Sequence, residues 1–320
     1  TAVPRVSMSL NSFRDATPAP GEDKALDNAA PVSDEDNDTA GKKPVQSAAQ
    51  QVAAAGLHPH PDLSLIEKSD LGPLPVIGKD GRAPWRVYAR PFSRLDSRPR
   101  IAVIVSTLGV SSNATQSAID MLPGEVTFSF APFTKDLDRW VDRSRAAGHE
   151  VLIDLPMEPL DYPQSDPGPH TLLASVPIDQ NLRHLGWILS RTTGYVGVSV
   201  YMGSNIANKP RALNPILSEI KSRGLMLVDT RENPLGVTGK VAGDIGLAVA
   251  ASDLVIDGTL SAKHIDGQLA ALERSAKENG AAVAVARPYP ITLKRLKEWS
   301  GTLAEKGIAL APVSAMPEAR

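Results

Sequence analysis

Ten polar side chains stand where short apolar runs of the chain end. They are Ser106, Thr107, Asp154, Glu158, Tyr201, Ser204, Asp229, Arg231, Asp257 and Arg287. Carboxylates beside hydroxyls and arginines could transfer protons, hold a hard metal ion or bind an oxygen-rich ligand. Any single aspartate of this kind could instead cap the loop or helix that follows it. Several polar groups that converge at one place are typical of ligand sites, so the set predicts a binding cleft.

Nitrogen and sulfur ligands for a metal are scarce in this chain. It has six histidines and no cysteine, which excludes disulfides, zinc–thiolate sites and a cysteine nucleophile. Five histidines are expected away from the cleft, in a Pro-rich linker, in a turn before a strand or in helices: His58, His60, His149, His184 and His264. Only His170 could reach the cleft, and we interpret it as a solvated loop residue.

Common catalytic motifs are absent. There is no Gly-x-Gly-x-x-Gly after a strand, no Gly-x-Ser-x-Gly elbow and no His-Glu-x-x-His pair. Gly236–Lys240 resembles a phosphate loop, but its glycine spacing is wrong and Val241 stands where Ser or Thr is needed. The net charge of −2 argues against nucleic-acid binding. No apolar run reaches about 18 residues, so we expect no transmembrane segment in residues 1–320.

The elements that would position the cleft alternate regularly after Arg100. Short runs rich in Val, Ile, Leu and Ala, typical of buried parallel strands, occur at 101–105, 126–130, 151–153, 196–200, 225–228, 254–256, 282–286 and 308–310. Helical patterns lie between them, at 113–122, 135–147, 179–191, 211–223, 262–279 and 292–306. Gly148, Gly224, Gly280 and Gly307 stand where a helix end favours a left-handed residue. The alternation predicts an α/β fold, most simply a parallel (β/α) barrel, with an open doubly wound sheet as the alternative.

Composition divides the chain into four segments. Residues 1–63 are poor in aromatic residues and carry an acidic run, so we predict a disordered tether. Residues 64–100 are predicted to form an extended lead-in arm, which packs onto the domain through Trp85 and Tyr88. Residues 101–316 are predicted to form the barrel and residues 317–320 a tail. Within the barrel, the Pro-rich segment 155–169 is expected to form a rim or lid over the cleft.

The region from about Leu74 to Ala315 resembles the divergent polysaccharide deacetylase family, part of the NodB-homology deacetylases. The resemblance rests on Pro99–Val105, Leu108–Gly109, Gly148–Ile153, Leu155–Pro159, Tyr162–Pro163, Pro167–Pro169, Leu172–Leu173, Met202–Ser204, Gly224–Leu225, Asp229, Arg231, Asp257, Gln268–Leu269 and Pro288. It implies a distorted (β/α) barrel, a bacterial periplasmic or cell-envelope location and metal-dependent deacetylation of N-acetylated glycans.

The chain departs from the family pattern where that chemistry would reside. Ser106 and Thr107 stand in place of two adjacent aspartates, and Asp154, Tyr201 and Arg287 each stand in place of a histidine. Hydroxyls are poor metal ligands and arginine cannot bind a metal. We therefore predict no metal and no cofactor. We also hypothesise that an Asp154–Arg287 ion pair replaces the metal, and that Arg231 and Arg287 are the partners of Asp229 and Asp257.

Three functions remain open at this point. The first is a catalytically degenerate envelope domain whose cleft binds a glycan or a cell-wall protein through Glu158, Tyr201, Arg231 and Arg287. The second is an active deacetylase or other hydrolase with an atypical carboxylate site, the one case in which we expect a divalent metal. The third is a structural protein-interaction module with a filled cleft. The chain begins at Thr1 rather than Met, which is compatible with a removed targeting segment or a preceding membrane anchor.

Overall fold

The computed structural model describes residues 56–93, 95–231 and 236–316. The predicted tail, and residues 1–55 of the predicted tether, lie outside the described residues. The strands are β1 (Ile66–Ser69), β2 (Gly72–Pro75), β3 (Arg100–Leu108), β4 (Thr127–Phe130), β5 (Val151–Met157), β6 (Gly197–Met202), β7 (Met226–Asp229), β8 (Val249–Ala251), β9 (Leu254–Val255), β10 (Ala281–Ala286) and β11 (Ala309–Leu310). The helices are α1 (Pro84–Val87), α2 (Ser112–Met121), α3 (Leu137–Ala146), α4 (Ile178–Leu189), α5 (Pro210–Ser222), α6 (Thr238–Asp244), α7 (Ala262–Asn279) and α8 (Pro290–Ser300).

One parallel sheet curls into a distorted barrel. Its strands lie in the order β8-β7-β6-β5-β4-β3-β10-β9, and β11 also pairs with β3. The two outermost strands, β8 and β9, are joined only by Ser252 and Asp253, a link that spans at most about 10 Å. Ser252 N donates to Asp229 O and Asp253 N donates to Val283 O, both at 2.8 Å, so this link bridges β7 and β10. The two edge strands are therefore neighbours along the chain, and the curled parallel sheet with its helices confirms the predicted fold class.

The strands separate two hydrophobic cores. On β3, Ile104 packs inside the barrel with Leu152, whereas Val103 and Val105 pack under the surrounding helices. All four side chains are fully buried. Because successive residues of a strand face opposite sides, burial of both faces requires an apolar residue at nearly every position. This explains why the strands were recognisable as continuous apolar runs.

Glycines end the helical segments as predicted. Gly148, Gly224, Gly280 and Gly307 have φ values of +93°, +67°, +81° and +69°, which confirms the left-handed conformation. The last helix is shorter than predicted, because α8 ends at Ser300 and turns follow up to Gly307. At that end the backbone amide and the hydroxyl of Thr302 both donate to the Trp299 carbonyl, which tightens the turn.

Two short elements near residue 245 were not predicted from the sequence. Helix α6 occupies the segment that resembles a phosphate loop, and strand β8 precedes the predicted strand at 254–256. The helix has seven residues and includes Gly239 and Gly243. A helix this short shows little periodicity, and glycine lowers helix propensity, so tertiary packing rather than local sequence determines it.

The lead-in arm closes the amino-terminal end of the barrel, which we call the bottom. Strands β1 and β2 form an antiparallel hairpin, α1 follows, and Tyr88 is buried in the interior core. Residues 56–63, predicted as part of the tether, also contact the domain. His60 Nε2 lies 3.1 Å from Asp142 Oδ1, and Arg145 donates to the His58 carbonyl at 2.7 Å. Among the described residues, no helix has the length and apolarity needed to cross a membrane.

Candidate functional site

The interior of the barrel becomes polar towards the carboxyl ends of four neighbouring strands. The residues concerned are Ser106 on β3, Ser129 on β4, Asp154 on β5 and Ser199 on β6, and all four are buried. Ser106 and Asp154 lie two residues after Ile104 and Leu152 of the interior core, whereas Ser129 and Ser199 each lie between two residues of the core under the helices. All four side chains therefore face inward. They form a polar layer above that core, beneath the end of the barrel that we call the mouth.

Asp154 is the buried acid of this layer. Only 2% of the residue is exposed. The Ser129 hydroxyl donates to Oδ1 at 2.5 Å, and the Thr107 backbone amide donates to Oδ2 at 2.9 Å. Burial raises the pKa of Asp154 to about 6, although both hydrogen bonds oppose the shift. Thr107 adopts a left-handed φ of +58° at this contact. Asp154 is therefore an internal acid held by uncharged donors.

The hypothesis of an Asp154–Arg287 ion pair is wrong. Both oxygens of Asp154 accept from uncharged groups, and the charge of Arg287 acts on Asp257 instead. The two side chains also differ in depth, because Asp154 is buried whereas Arg287 is exposed. A reciprocal exchange of residue types at two strand ends thus does not imply contact between them.

Asp257 and Asp229 contact the predicted arginines through the backbone. Asp257 Oδ2 accepts from the Arg287 backbone amide at 2.7 Å and from the Thr292 hydroxyl at 3.2 Å. Asp229 Oδ1 accepts from the Arg231 backbone amide at 3.0 Å. Burial raises the pKa of both carboxyl groups, and the neighbouring arginine charge partly opposes each shift. Within the described residues, Asp257 Oδ1 is buried and accepts no hydrogen bond.

The strand order brings most of the predicted site residues to one edge of the sheet. Strands β10, β3, β4, β5, β6 and β7 are consecutive neighbours, and their carboxyl ends carry Arg287, Ser106, Thr107, Asp154, Tyr201 and Asp229. Two contacts tie these ends together: Ser106 Oγ donates to Ala286 O at 3.4 Å, and Thr230 Oγ1 donates to Val200 O at 3.0 Å. The mouth is therefore a continuous arc of polar strand ends.

Glu158 and Ser204 hold the Pro-rich loop. Glu158 Oε2 accepts from the Ala174 amide at 2.6 Å, and Ser204 Oγ accepts from the Leu160 amide at 3.0 Å. The loop presents Leu160, which is 71% exposed, at the rim. These contacts assign both polar residues to shaping the rim.

His170 is not the solvated loop residue that the sequence suggested. Its ring stacks on Trp187 at 3.9 Å between centroids, and it meets the His184 ring edge-on at 5.3 Å. Burial and the nearby charges of His184 and Arg191 lower the pKa of His170. The aromatic contact with α4 buries part of the ring and holds the end of the Pro-rich loop against that helix.

Ser129 and Ser199 were missed by reasoning from the sequence. Ser129 binds Asp154 directly, and Ser199 is aligned with Asp154 across the β5–β6 pair, its hydroxyl without a partner within the described residues. A signal for both exists in the sequence. Thr127–Phe130 alternates polar and apolar residues, and Ser199 lies between two valines. That alternation is typical of strands with one polar face.

The residues at the mouth do not fit a catalytic metal. Such a site needs about three nitrogen or oxygen side-chain ligands. At the positions where the family resemblance implies ligands, the strand ends offer one carboxylate, Asp154, whose two oxygens already accept hydrogen bonds. The remaining groups are hydroxyls and a guanidinium, which are poor or impossible ligands. Across the described ranges, no three His, Asp or Glu side chains lie close enough together to hold a metal ion.

Comparison with protein families identifies a match that covers most of the barrel. Residues 103–316 match the model of the divergent polysaccharide deacetylase family. A solved structure of an uncharacterized protein from Agrobacterium tumefaciens is 37% identical in sequence. It superimposes with a TM-score of 0.74 and covers 76% of this chain and 99% of that one.

Two curated bacterial proteins are more distant relatives. An uncharacterized protein of Haemophilus influenzae is 20% identical over 202 residues, which are 63% of this chain and 71% of the relative. The uncharacterized protein YibQ of Escherichia coli is 21% identical over 199 residues, or 62% of this chain. That match spans 61% of YibQ, so more than a third of the E. coli protein has no counterpart in it.

Proposed function

Because the chain belongs to the divergent polysaccharide deacetylase family, we propose that it is a catalytically degenerate member whose mouth binds a glycan. One observation carries this proposal. Where the family resemblance implies ligands and a base, the chain has two hydroxyl residues, a tyrosine and an arginine, and its one carboxylate is buried and hydrogen-bonded. Metal-assisted attack on an acetamide requires ligands and a base that these groups do not supply.

The mouth retains groups suited to binding sugars. Arg231 and Arg287 are exposed at the ends of β7 and β10, and Tyr201 is half-buried at the end of β6. Guanidinium groups and phenols donate hydrogen bonds to the hydroxyl and carbonyl oxygens of a glycan. The Pro-rich loop adds an exposed rim beside them. The proposal includes a location in the bacterial cell envelope, which the family resemblance suggests and cell fractionation would test.

Calorimetric titration of the full chain with an N-acetylglucosamine tetramer tests the binding function. We expect Arg231→Ala and Arg287→Ala each to weaken binding by about tenfold, the effect of losing one charge-assisted hydrogen bond. Arg274→Ala changes an exposed arginine in the second half of α7, the part of that helix which leads to the amino-terminal end of β10, so it serves as the matched control and should bind like wild type. Undiminished binding by both mouth variants would contradict the proposal. Capture of a cell-wall protein, without any glycan binding, would favour the partner-protein function instead.

An active hydrolase is the second candidate, favoured by the pKa of Asp154. A carboxyl group with a pKa near 6 can exchange protons near neutral pH, as general acids and bases do. Its 2% exposure argues against contact with a substrate. Acetate release from the same tetramer distinguishes the two functions. The binding function predicts no release with or without added zinc, whereas the hydrolase predicts release that Asp154→Asn abolishes.

A further inference from the structure

A second concave site lies beside the mouth, between the loops that follow β3 and β4. Its volume is about 490 Å³, and its walls include Gly109, Phe133, Lys135, Arg139 and Trp140. The two loops fit closely, because a Cβ atom on Gly109 would lie only 2.1 Å from Thr134 Oγ1. Gly109 also has a φ of +88°, so glycine is required here for two reasons. We call this site the groove.

The groove combines cations with aromatic rings. Lys135 and Arg139 are exposed, and neither forms an ion pair or side-chain hydrogen bond within the described part of the chain. Together with Asp136, the acidic residue of the lining, they leave one net positive charge. Phe133 is 40% exposed, and Trp140 is half-buried. An anion with an adjacent apolar face matches this lining better than a neutral or cationic molecule does.

The groove is continuous with the arc of strand ends at the mouth. Gly109 lies two residues after Thr107, whose amide holds Asp154. Phe133 also packs against the Pro-rich loop, because a Cβ atom on Gly168 would lie 2.8 Å from its ring. A polymer bound at the mouth would therefore extend into the groove over the β3 and β4 ends.

From this geometry we infer that the groove binds an acidic sugar unit of the glycan, with its carboxylate on Lys135 and Arg139 and its ring against Phe133 and Trp140. Pyranose rings present apolar C–H faces that pack on aromatic side chains, and guanidinium groups bind carboxylates with strong hydrogen bonds. The inference rests on the proposed glycan-binding function and adds the chemical class of the glycan, namely a polymer that contains uronic acid.

Calorimetric titration of the full chain with a tetramer of galacturonic acid tests this inference. Its methyl-esterified form, which has the same rings without the charges, is the matched ligand control. We expect the acid to bind about tenfold more tightly than the ester, because only the acid offers charged acceptors. Lys135→Gln and Arg139→Gln should remove this preference, whereas Arg274→Gln, in the second half of α7, should retain it. Phe133→Ala should weaken both ligands alike.

Several results would overturn the inference. They are equal binding of acid and ester, failure of both to bind, and an unchanged preference in both groove variants. Inorganic phosphate that binds as tightly as the uronate would reduce the groove to a simple anion site and overturn the sugar assignment. Loss of binding in Arg287→Ala, with full binding in Lys135→Gln and Arg139→Gln, would refute the groove but leave the proposed function standing.

Discussion

The two ends of the barrel differ in the groups that form hydrogen bonds with their buried charged side chains. At the bottom, Glu150 is completely buried and accepts from the Arg90 amide at 3.0 Å and from the amide and hydroxyl of Ser314. Arg145 donates to the carbonyls of His58, Tyr88 and Gly194. These contacts join the lead-in arm and the carboxyl-terminal segment to the barrel, so the bottom polar groups connect distant parts of the chain.

At the mouth, the buried carboxylates are held by groups of the strand ends themselves. Asp154 accepts from Ser129 and Thr107, and the arginines at the rim expose their side chains. This contrast fits the general rule for β/α barrels, in which the amino-terminal end stabilises the fold and the carboxyl-terminal end carries the function. Substitutions at the bottom should therefore change stability, whereas those at the rim should change binding.

Loss of Arg145 should have the largest effect on stability. Arg145→Met keeps the apolar stem but leaves three carbonyls without their donor, so we expect the free energy of unfolding to fall by about 4 kcal/mol. Urea denaturation measures this change. Arg211→Met, on an exposed helix surface, should stay within about 0.5 kcal/mol of wild type. A loss below about 1 kcal/mol for Arg145→Met would show that the bottom network is dispensable.

His149 at the bottom should destabilise the protein in acid. Its ring stacks on Phe128, and burial lowers its pKa from 6.5 to about 4. Between these pH values His149 is protonated in the unfolded chain but neutral in the folded chain. The free energy of unfolding therefore decreases as the pH falls from 6.5 towards 4, by up to about 3 kcal/mol. His149→Gln removes this titration. The stability of wild type relative to the variant should therefore decline over that pH range, and a rise would contradict the assignment.

Asp154 at the mouth should have the opposite pH dependence, because it lowers the stability of the protein as the pH rises. Its pKa is about 6 in the folded state against 3.8 in the reference state. Between these values the folded chain holds a proton that the unfolded chain has lost, so stability falls as the pH rises, by up to about 3 kcal/mol. Asp154→Asn should consequently gain stability relative to wild type between pH 4 and pH 7 in urea denaturation. Asp70→Asn changes an exposed carboxyl group and should show no such gain. If Asp154→Asn also showed no gain in stability, the proposed effect of burial would be refuted.

Rim substitutions should have the smallest effect on stability. Arg287→Ala changes an exposed side chain, although its backbone amide still binds Asp257, so the free energy of unfolding should change by less than about 0.5 kcal/mol. Thermal denaturation checks this value. A loss as large as that of Arg145→Met would mean that the mouth, like the bottom, is built for stability.

The sequence predicted the framework of the barrel because its strands are buried on both faces. Continuous apolar runs such as Ile101–Val105 and helix-ending glycines such as Gly148 are local signals. The polar layer was harder to see. Asp154 was recognised at a strand end, but its partner Ser129 is 25 residues away and lies in a run that was interpreted as apolar. The alternation in Thr127–Phe130 carried that information.

Depth within the barrel could not be predicted from residue order. Asp154 and Arg287 both end strands, yet one side chain is buried and the other exposed, so charge complementarity suggested a pair that the fold does not form. Likewise, the stacking of His170 on Trp187 depends on how the Pro-rich loop returns to α4. Both features depend on three-dimensional packing, which local patterns do not encode.

Zinc titration of the purified chain, followed by competition with a fluorescent chelator, tests the degeneracy of the mouth most directly. With hydroxyls and a guanidinium in place of ligands, we predict that no zinc binds at the mouth. Zinc held by His170 and His184 would be lost in His184→Gln and kept in Asp154→Asn, which leaves the account intact. Uptake of one equivalent that Asp154→Asn abolishes would contradict it.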